Sequence, residues 1–128
     1  MVTNPVVSES MSEAQTLTET STARNLTAFQ TNILTILSEE PMYGLAIKRE
    51  LEDYYGEEVN HGRLYPNLDT LVEKDYVEKS ELDKRTNQYE LTDEGLAVVV
   101  DQLQWTLSKF VTGDERAEQV RDIVADNE

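Results

Sequence analysis

Apolar and polar residues alternate along this chain with two different periods, which predict helices over most of it and a short hairpin between them. The first apolar set recurs at helical spacing from Asn25 or Thr27 onwards. Its members are Leu26, Phe29, Ile33, Ile36 and Leu37. We expect this first helix to end at Glu40, because Pro41 disfavours a helical conformation of the residue before it.

Two further helices are predicted after short polar breaks. One should run from about Tyr43 to Tyr55, and the next over about residues 62–74. In the latter the i, i+4, i+7, i+8 pattern is formed by Leu64, Leu68, Leu71 and Val72. Asn60 or His61 is the expected N-cap of this third helix. Pro66 falls early in it, where we expect a missing N–H to cost least.

The period changes to two after the third helix. Short strands are predicted at "YVEKSEL" and "NQYEL", around a polar tip at residues 83–86. A long helix should follow with Thr92 as its cap, and Gly113 should interrupt it before a short C-terminal helix. This long helix is the fourth helix predicted, from residue 93 onwards, and is labelled α4. It carries a continuous apolar seam, which we call the α4 seam, formed by Leu96, Val99, Val100, Leu103, Leu107 and Phe110.

This order of elements is typical of the winged helix-turn-helix, in which the second helix of the pair enters the major groove of DNA. The predicted fold class is therefore mainly α with a small β-wing, followed by a C-terminal dimerisation helix. Residues 1–22, rich in Ser, Thr and Glu, are expected to be disordered or ordered only against a partner. Residues 23–92 should form the DNA-binding domain, and residues 93–128 the dimerisation helix and tail.

The charge of the chain is unusual for a protein that approaches DNA. Its 128 residues include 26 acidic and 11 basic side chains, a net charge of -15. An acidic tail, a module for basic partners and adaptation to a cytoplasm of very high salt are the three interpretations. The acids are spread along the whole chain, which favours salt adaptation, because a large net charge keeps a protein soluble when salt screens individual charges.

Several kinds of site are excluded by what the sequence lacks. There is no cysteine, which excludes disulfides, thiolate metal sites and cysteine nucleophiles. The single histidine, His61, makes a poor metal site without a companion ligand. No Ser-His-Asp arrangement or Gly-rich phosphate loop is evident, so we expect neither an enzyme nor a cofactor. No apolar run reaches the ~20 residues of a membrane span, and no secretory signal is visible.

The third helix supplies most candidate DNA contacts. Four polar residues at i, i+4, i+7 and i+11 are predicted to share the face opposite its leucines: Arg63, Asn67, Thr70 and Lys74. Arg suits bidentate bonds to guanine and Asn to adenine, although an ordinary solvated face has the same composition. Gly62 would let the backbone approach phosphates, and His61 would cap the helix or touch the DNA backbone. Tyr65 either donates to a phosphate or packs as a half-buried ring.

Two other places supply basic candidates. Lys84 and Arg85 lie at the predicted wing tip and would reach an adjacent minor groove, unless the tip is only a polar turn. Lys48 and Arg49 on the second helix are candidates for phosphate contacts. The α4 seam, with Trp105, fits a monomer core, a cofactor pocket or a dimer interface, and we prefer the interface. A two-fold dimer would place its recognition helices ~34 Å apart on a pseudo-palindromic operator.

Three separated motifs resemble the PadR family of transcriptional regulators. These are "PMYGLAIKREL", "HGRLYPNLDTLVEKDYVEKS" and "NQYELTDEG", which occur in order within about residues 29–97. The family pattern has a Tyr-Gly pair opening the second helix, Gly-x-Leu-Tyr-Pro-x-Leu in the recognition helix and Tyr-x-Leu-Thr-x-x-Gly closing the wing. The resemblance implies a dimeric repressor or activator on operator DNA, with a stress response as one candidate process, and the acidity is similar to haloarchaeal members.

Two functions of different classes remain open from the sequence. The first is a sequence-specific DNA-binding transcription factor, favoured by the Arg63 and Asn67 pair and the basic wing tip. The second is a winged-helix module that binds a basic protein through its acidic surface and does not touch DNA. Any small-molecule effector is unknown, and a thiol-based response to oxidants is excluded by the absence of cysteine.

Overall fold

The protein is described from a computed structural model, which covers residues 25–83 and 85–127. The predictions for residues 1–22 and for Lys84 lie outside the described residues. The elements in chain order are α1 Ala28–Leu37, β1 Met42–Tyr43, α2 Gly44–Tyr55, α3 His61–Glu73, β2 Val77–Asp83, β3 Thr86–Leu91, α4 Asp93–Phe110 and α5 Asp114–Asp126. This order confirms the predicted mainly helical fold with a small wing.

The first helix begins as predicted but ends three residues early. Thr27 caps it, and its hydroxyl accepts from the backbone N–H of Gln30 while the Gln30 side chain accepts from the Thr27 N–H, which is a complete capping box. The helix ends at Leu37, not at Glu40. The Ser38 hydroxyl donates to the carbonyl of Thr35, and such local side-chain bonds compete with helix continuation.

The helix-turn-helix pair is α2 and α3. Gly56 ends α2 in the left-handed conformation, with φ 72°. Asn60 caps α3 through a bond from the Arg63 N–H, so the alternative that His61 is the cap is wrong, and His61 is the first helical residue. Pro66 is the sixth residue of α3, past the four whose N–H groups have no helical acceptor. Because proline has no N–H, the carbonyl of Gly62 lacks its helical hydrogen-bond donor. This is contrary to the expectation that Pro66 lies where a missing N–H costs least.

The wing belongs to a three-stranded antiparallel sheet in the order β1-β3-β2. The sequence predicted β2 and β3 but missed β1, whose two residues Met42 and Tyr43 pair with Tyr89 and Gln88. Lys79 of β2 pairs with Tyr89 from the other side, and a bulge lies between Glu81 and Asp83. The β1 pairing ties the N-terminus of α2 to the wing strand, so these parts of the surface are fixed relative to each other.

The core lies where α1, α2 and α3 meet the sheet. Its fully buried side chains include Ile33, Leu34, Ile47, Leu51, Leu64, Leu68, Leu71, Val77 and Tyr89. The long helix α4 enters this core through Gly95 and Val98, neither of which belongs to the α4 seam. A Cβ added at Gly95 would lie 2.2 Å from the carbonyl oxygen of Tyr76, so only glycine permits this close approach. Thr92 caps α4 as predicted.

Candidate nucleic-acid interface

The residues that point most directly away from the core on α3 form an exposed ridge. They stand at i, i+4, i+7 and i+11, and are Gly62, Pro66, Asp69 and Glu73. Two of these four are carboxylates. Lys79 of β2 lies 3.9 Å from Asp69, a loose and exposed ion pair that leaves the ridge largely acidic. The N-terminal half of the ridge, formed by Gly62 and Pro66, carries no charge.

Arg63 flanks this ridge on the side of α1. Its guanidinium carbon lies 4.0 Å from the centroid of the Phe29 ring and 6.0 Å from that of Tyr55. The two rings are themselves stacked, with centroids 6.1 Å apart. The aromatic pair is therefore a platform that restricts the long Arg63 side chain by a cation–π contact. Arg63 stays exposed, so its N–H groups are accessible beside the ridge.

Arg63, Asn67, Thr70 and Lys74 share one side of α3 as predicted, but this side faces α1 and flanks the core, so the prediction that it lies opposite the leucines is wrong. Asn67 and Thr70 are half-buried. The Oδ1 of Asn67 accepts from Gln30 Nε2 at 2.9 Å, and its Nδ2 donates to the Arg63 carbonyl at 2.7 Å. The Thr70 hydroxyl donates to the Pro66 carbonyl at 3.0 Å. Asn67 thus faces α1, whose Gln30 was not among the predicted site residues.

The first turns of α3 pack against the N-terminus of α2. The His61 and Tyr65 rings are stacked with centroids 5.5 Å apart. A Cβ built on Gly44 would lie 2.6 Å from the Tyr65 hydroxyl, so glycine is needed there for this contact. Tyr65 is half-buried, as the packing interpretation predicted. Tyr65 also lines a surface cavity together with the N-terminus of α2. Gly62, beside them, is exposed.

The wing tip is shaped by Asp83. Its carboxylate accepts from the Arg85 backbone N–H at 2.9 Å, and this bond, together with one from the Thr86 hydroxyl, lowers the pKa of Asp83 below its ordinary value. The turn that results leaves the Arg85 side chain exposed. Lys84, the other predicted tip contact, lies outside the described residues.

A surface cavity of about 390 Å³ joins three of the predicted contact regions. It is lined by His61 and Tyr65 from α3, by Gly44 at the start of α2, and by Arg85 and Asn87 from the wing. Tyr43 and Leu45, both exposed and apolar, complete its rim and were not predicted as site residues. The fold thus brings His61, Tyr65 and Arg85 together, although they are distant in sequence.

The remaining basic candidates have different surroundings. The Lys48 ammonium lies 2.6 Å from Glu52, whose carboxylate also accepts from the Val59 N–H at 3.0 Å. These bonds lower the pKa of Glu52, with Lys48 as the main cause. Lys48 thus helps to fix the α2–α3 turn through Glu52, and its phosphate contact stays a prediction. Arg49 is exposed, and Lys74 is exposed at the far end of α3, about 16 Å along the axis from Arg63.

The α4 seam is mostly uncovered in the protomer. Leu96, Val100, Leu103 and Phe110 are exposed, whereas Val99 and Leu107 are half-buried and Val99 packs on the core. Leu96, Val100, Leu103, Leu107 and Phe110 are spaced by alternating steps of four and three residues, the spacing of a coiled-coil seam. On the following helix, Ile123 and Val124 are exposed as well.

Within residues 25–83 and 85–127, no three His, Asp or Glu side chains are grouped so that they could hold a metal ion. No helix of the described part of the chain is both long and apolar enough to cross a membrane.

The fold and this surface define a winged-helix DNA-binding protein. Residues 33–100 match the transcriptional regulator PadR-like family, and the chain belongs to that family. This match agrees with the sequence resemblance, and it confirms the prediction that the protein is a transcriptional regulator and not an enzyme. A comparison with curated protein sequences gives no significant match.

Solved structures support the same assignment. The chain is similar to a Halobacterium salinarum RosR complex designated RosR-S4, at 72% identity over 85% of this chain and 95% of that one, with a TM-score of 0.83. The structure of H. salinarum RosR grown from NaBr is 73% identical to this chain. The match covers 82% of this chain and 96% of that one, with a TM-score of 0.81. F93 from STIV, a winged-helix DNA-binding protein, shares only the fold, at 15% identity over 66% and 89%, with a TM-score of 0.51.

Proposed function

We propose that this DNA-binding regulator acts as a homodimer on a pseudo-palindromic operator, in a cytoplasm of high salt concentration. The N-terminal half of α3 enters the major groove, with Arg63 in contact with base edges. Arg85 reaches the adjacent groove from the wing, and Arg49 lies on the phosphate backbone. Lys74 contributes only where the DNA bends towards the end of α3. The stress-response role stays a prediction.

The observation that carries this proposal is the shared surface of α3, α2 and the wing. The exposed Arg63 and Arg85 lie at either side of the uncharged first turns of α3, while β1 fixes the α2 N-terminus to the wing strand. The first residues of α2 and α3 line the same cavity, and helix N-termini favour phosphate groups. Family membership favours DNA over a basic protein as the partner of this surface.

The α4 seam supports the homodimer. Its exposed leucines and Phe110 form a stripe of coiled-coil spacing, and an uncovered stripe of this length requires a partner. A second copy of the same helix is complementary to it by symmetry, since a two-fold interface uses the same patch on both subunits. The half-sites of the operator would then lie one DNA turn apart.

The acidic ridge of α3 supports adaptation to high salt. Asp69 and Glu73 would repel phosphates in dilute solution. At molar salt the screening length falls to ~3 Å, so the repulsion is confined to direct contacts. Affinity then depends on hydrogen bonds, shape and apolar contacts, for which Tyr43 and Leu45 at the cavity rim are available.

The proposal is tested by selecting DNA from a randomised duplex library with the full chain at ~2 M KCl, followed by binding titrations. We expect a selected sequence with two related half-sites whose centres are about 10 base pairs apart. Recovery of no enriched sequence, with the protein folded by circular dichroism, would contradict it. Enrichment of single half-sites would contradict the dimer while leaving the DNA contact intact.

A further inference from the structure

The side-chain amide of Asn67 is committed to contacts inside the protein. Its oxygen accepts from Gln30 and its nitrogen donates to the Arg63 carbonyl, at 2.9 and 2.7 Å. A bidentate contact to adenine needs both the oxygen and the nitrogen of an asparagine amide. Each of these two atoms keeps one further lone pair or N–H, but the two internal bonds fix the plane and direction of the amide, so the Asn67 side chain acts as a support between α1 and the start of α3.

Gln30 makes this arrangement possible from α1. Its Oε1 accepts from the Thr27 N–H at 3.1 Å, which completes the capping box, and this fixes which end of the amide faces α3. The Nε2 is then left to donate to Asn67. The start of α1 and the orientation of Asn67 are therefore set by the same side chain.

Phe29, the residue before Gln30, acts on the same turn of α3. Phe29 is a buried residue of the core, and its ring centroid lies 4.0 Å from the guanidinium carbon of Arg63. Two successive residues of α1 thus contact two residues that are one helical turn apart on α3. The guanidinium of Arg63 is held by Phe29, and its carbonyl is bonded to Asn67, which is held by Gln30.

We propose that Gln30 is a positioning residue for DNA recognition, which acts through Asn67 to fix the first turns of α3, and so the approach of Arg63 to the bases. This inference rests on the proposed contact between α3 and DNA. It assigns Asn67 the role of an internal support, and it makes the first turn of α1 one of the determinants of DNA specificity.

The substitution Gln30→Glu separates this role from the stability of α1. Glutamate is also favoured at this position of a capping box, so the bond to the Thr27 N–H is retained. It has no N–H to donate, so the bond to the Asn67 oxygen is lost. If the Asn67 amide turns over to donate to the new carboxylate, it loses its bond to the Arg63 carbonyl. In either case the support of Arg63 changes while the helix cap does not.

The experiment is a double-mutant cycle on the full chain, with Gln30→Glu, Asn67→Ala and the double variant, each titrated with the selected operator and with single-base variants of it. The added negative charge repels DNA equally in both backgrounds, so the cycle isolates the coupling between the two side chains. Gln30→Met is the neutral counterpart. Thermal unfolding of each protein is measured in parallel.

We expect Gln30→Glu to weaken operator binding roughly two- to tenfold more in the parent background than in the Asn67→Ala background. Base preference at the position facing Arg63 should relax, while the unfolding temperature stays close to that of the parent. Equal losses in both backgrounds, or an unchanged base preference, would overturn the role of Gln30. A parent chain that binds no selected DNA would instead contradict the proposed function itself.

Discussion

Replacing Leu103 by alanine should weaken the proposed dimer by an amount that follows from its exposure. Leu103 is 55% exposed in the protomer. Full burial of a leucine contributes roughly 1.5–3 kcal/mol, so a little over half of this remains available to a partner helix. Counted for both protomers, the loss is about 2–3 kcal/mol per dimer. This corresponds to a factor of roughly 30 to 150 in the dimer dissociation constant.

Trp105→Ala is the matched control for this prediction. Trp105 is on the same helix and is 56% exposed, but it lies outside the α4 seam. Two residues beyond Leu103, its side chain points about 200° further round the helix. Its removal should leave the dimer intact, although it takes away a larger apolar surface.

The assay is analytical ultracentrifugation over a range of protein concentrations in KCl, with circular dichroism to confirm folding. Leu103→Ala should shift the monomer–dimer midpoint to higher concentration, and Leu103→Glu should give monomers. Dissociation by Trp105→Ala with no effect of Leu103→Ala would refute the seam as the interface and would place the contact on the opposite side of α4.

Three other variants test separate parts of the structure. Arg63→Ala should weaken operator binding by ~1–3 kcal/mol and relax one base position, and equal affinities across an operator panel would argue against base contact. Gly95→Ala should lower the free energy of unfolding by ~1–3 kcal/mol in thermal melts, unlike Gly113→Ala, whose methyl meets nothing within 4 Å. The bond from Lys48 lowers the pKa of Glu52 in the folded protein. The ion pair therefore stabilises the fold above pH 4.5, the ordinary pKa of the carboxylate, and this stabilisation is lost as the pH falls below that value. Glu52→Gln should remove that part of the acid dependence, and melts with an unchanged pH profile would show that the pair contributes nothing.

The helices could be predicted from the sequence because their signals are local. The leucines of α3 recur at helical spacing, and its cap Asn60 immediately precedes it. Gly56 is suited to end α2, because only a residue that tolerates positive φ fits there. By contrast, β1 could not be predicted, since two residues show no alternation and their partners Gln88 and Tyr89 are distant along the chain.

The candidate site was predicted less completely, because its side chains are oriented by contacts between elements. At 100° per residue Asn67 lies within about 60° of Leu64 on the helix, so its half-burial was available from the sequence. Its partner Gln30 was not, because the α1–α3 packing decides that contact. The pairing of Lys48 with Glu52 at i, i+4 was a readable signal that was missed.

The surroundings of Arg63 show that tertiary packing, and not residue type alone, decides how a side chain is presented. An arginine near the start of the recognition helix suggests a base contact. The sequence does not reveal that Phe29 and Tyr55 form a platform beneath it, since these two residues come from α1 and α2. The exposure of Arg63 is compatible with a DNA contact, but the direction in which its guanidinium points is set by that platform.

The dependence of operator affinity on KCl tests the central claim most directly. An ordinary DNA-binding protein loses affinity steeply as salt rises, since each phosphate contact releases a counterion. Here exposed acids such as Glu57, Asp69 and Glu73 are interleaved with the proposed contacts. Screening of their repulsion should give a flat or rising affinity between about 0.5 and 2 M KCl, a range that brackets the ~3 Å screening length near 1 M. A steep loss of affinity by the folded protein over that range would contradict both the adaptation to high salt and the role assigned to the acids.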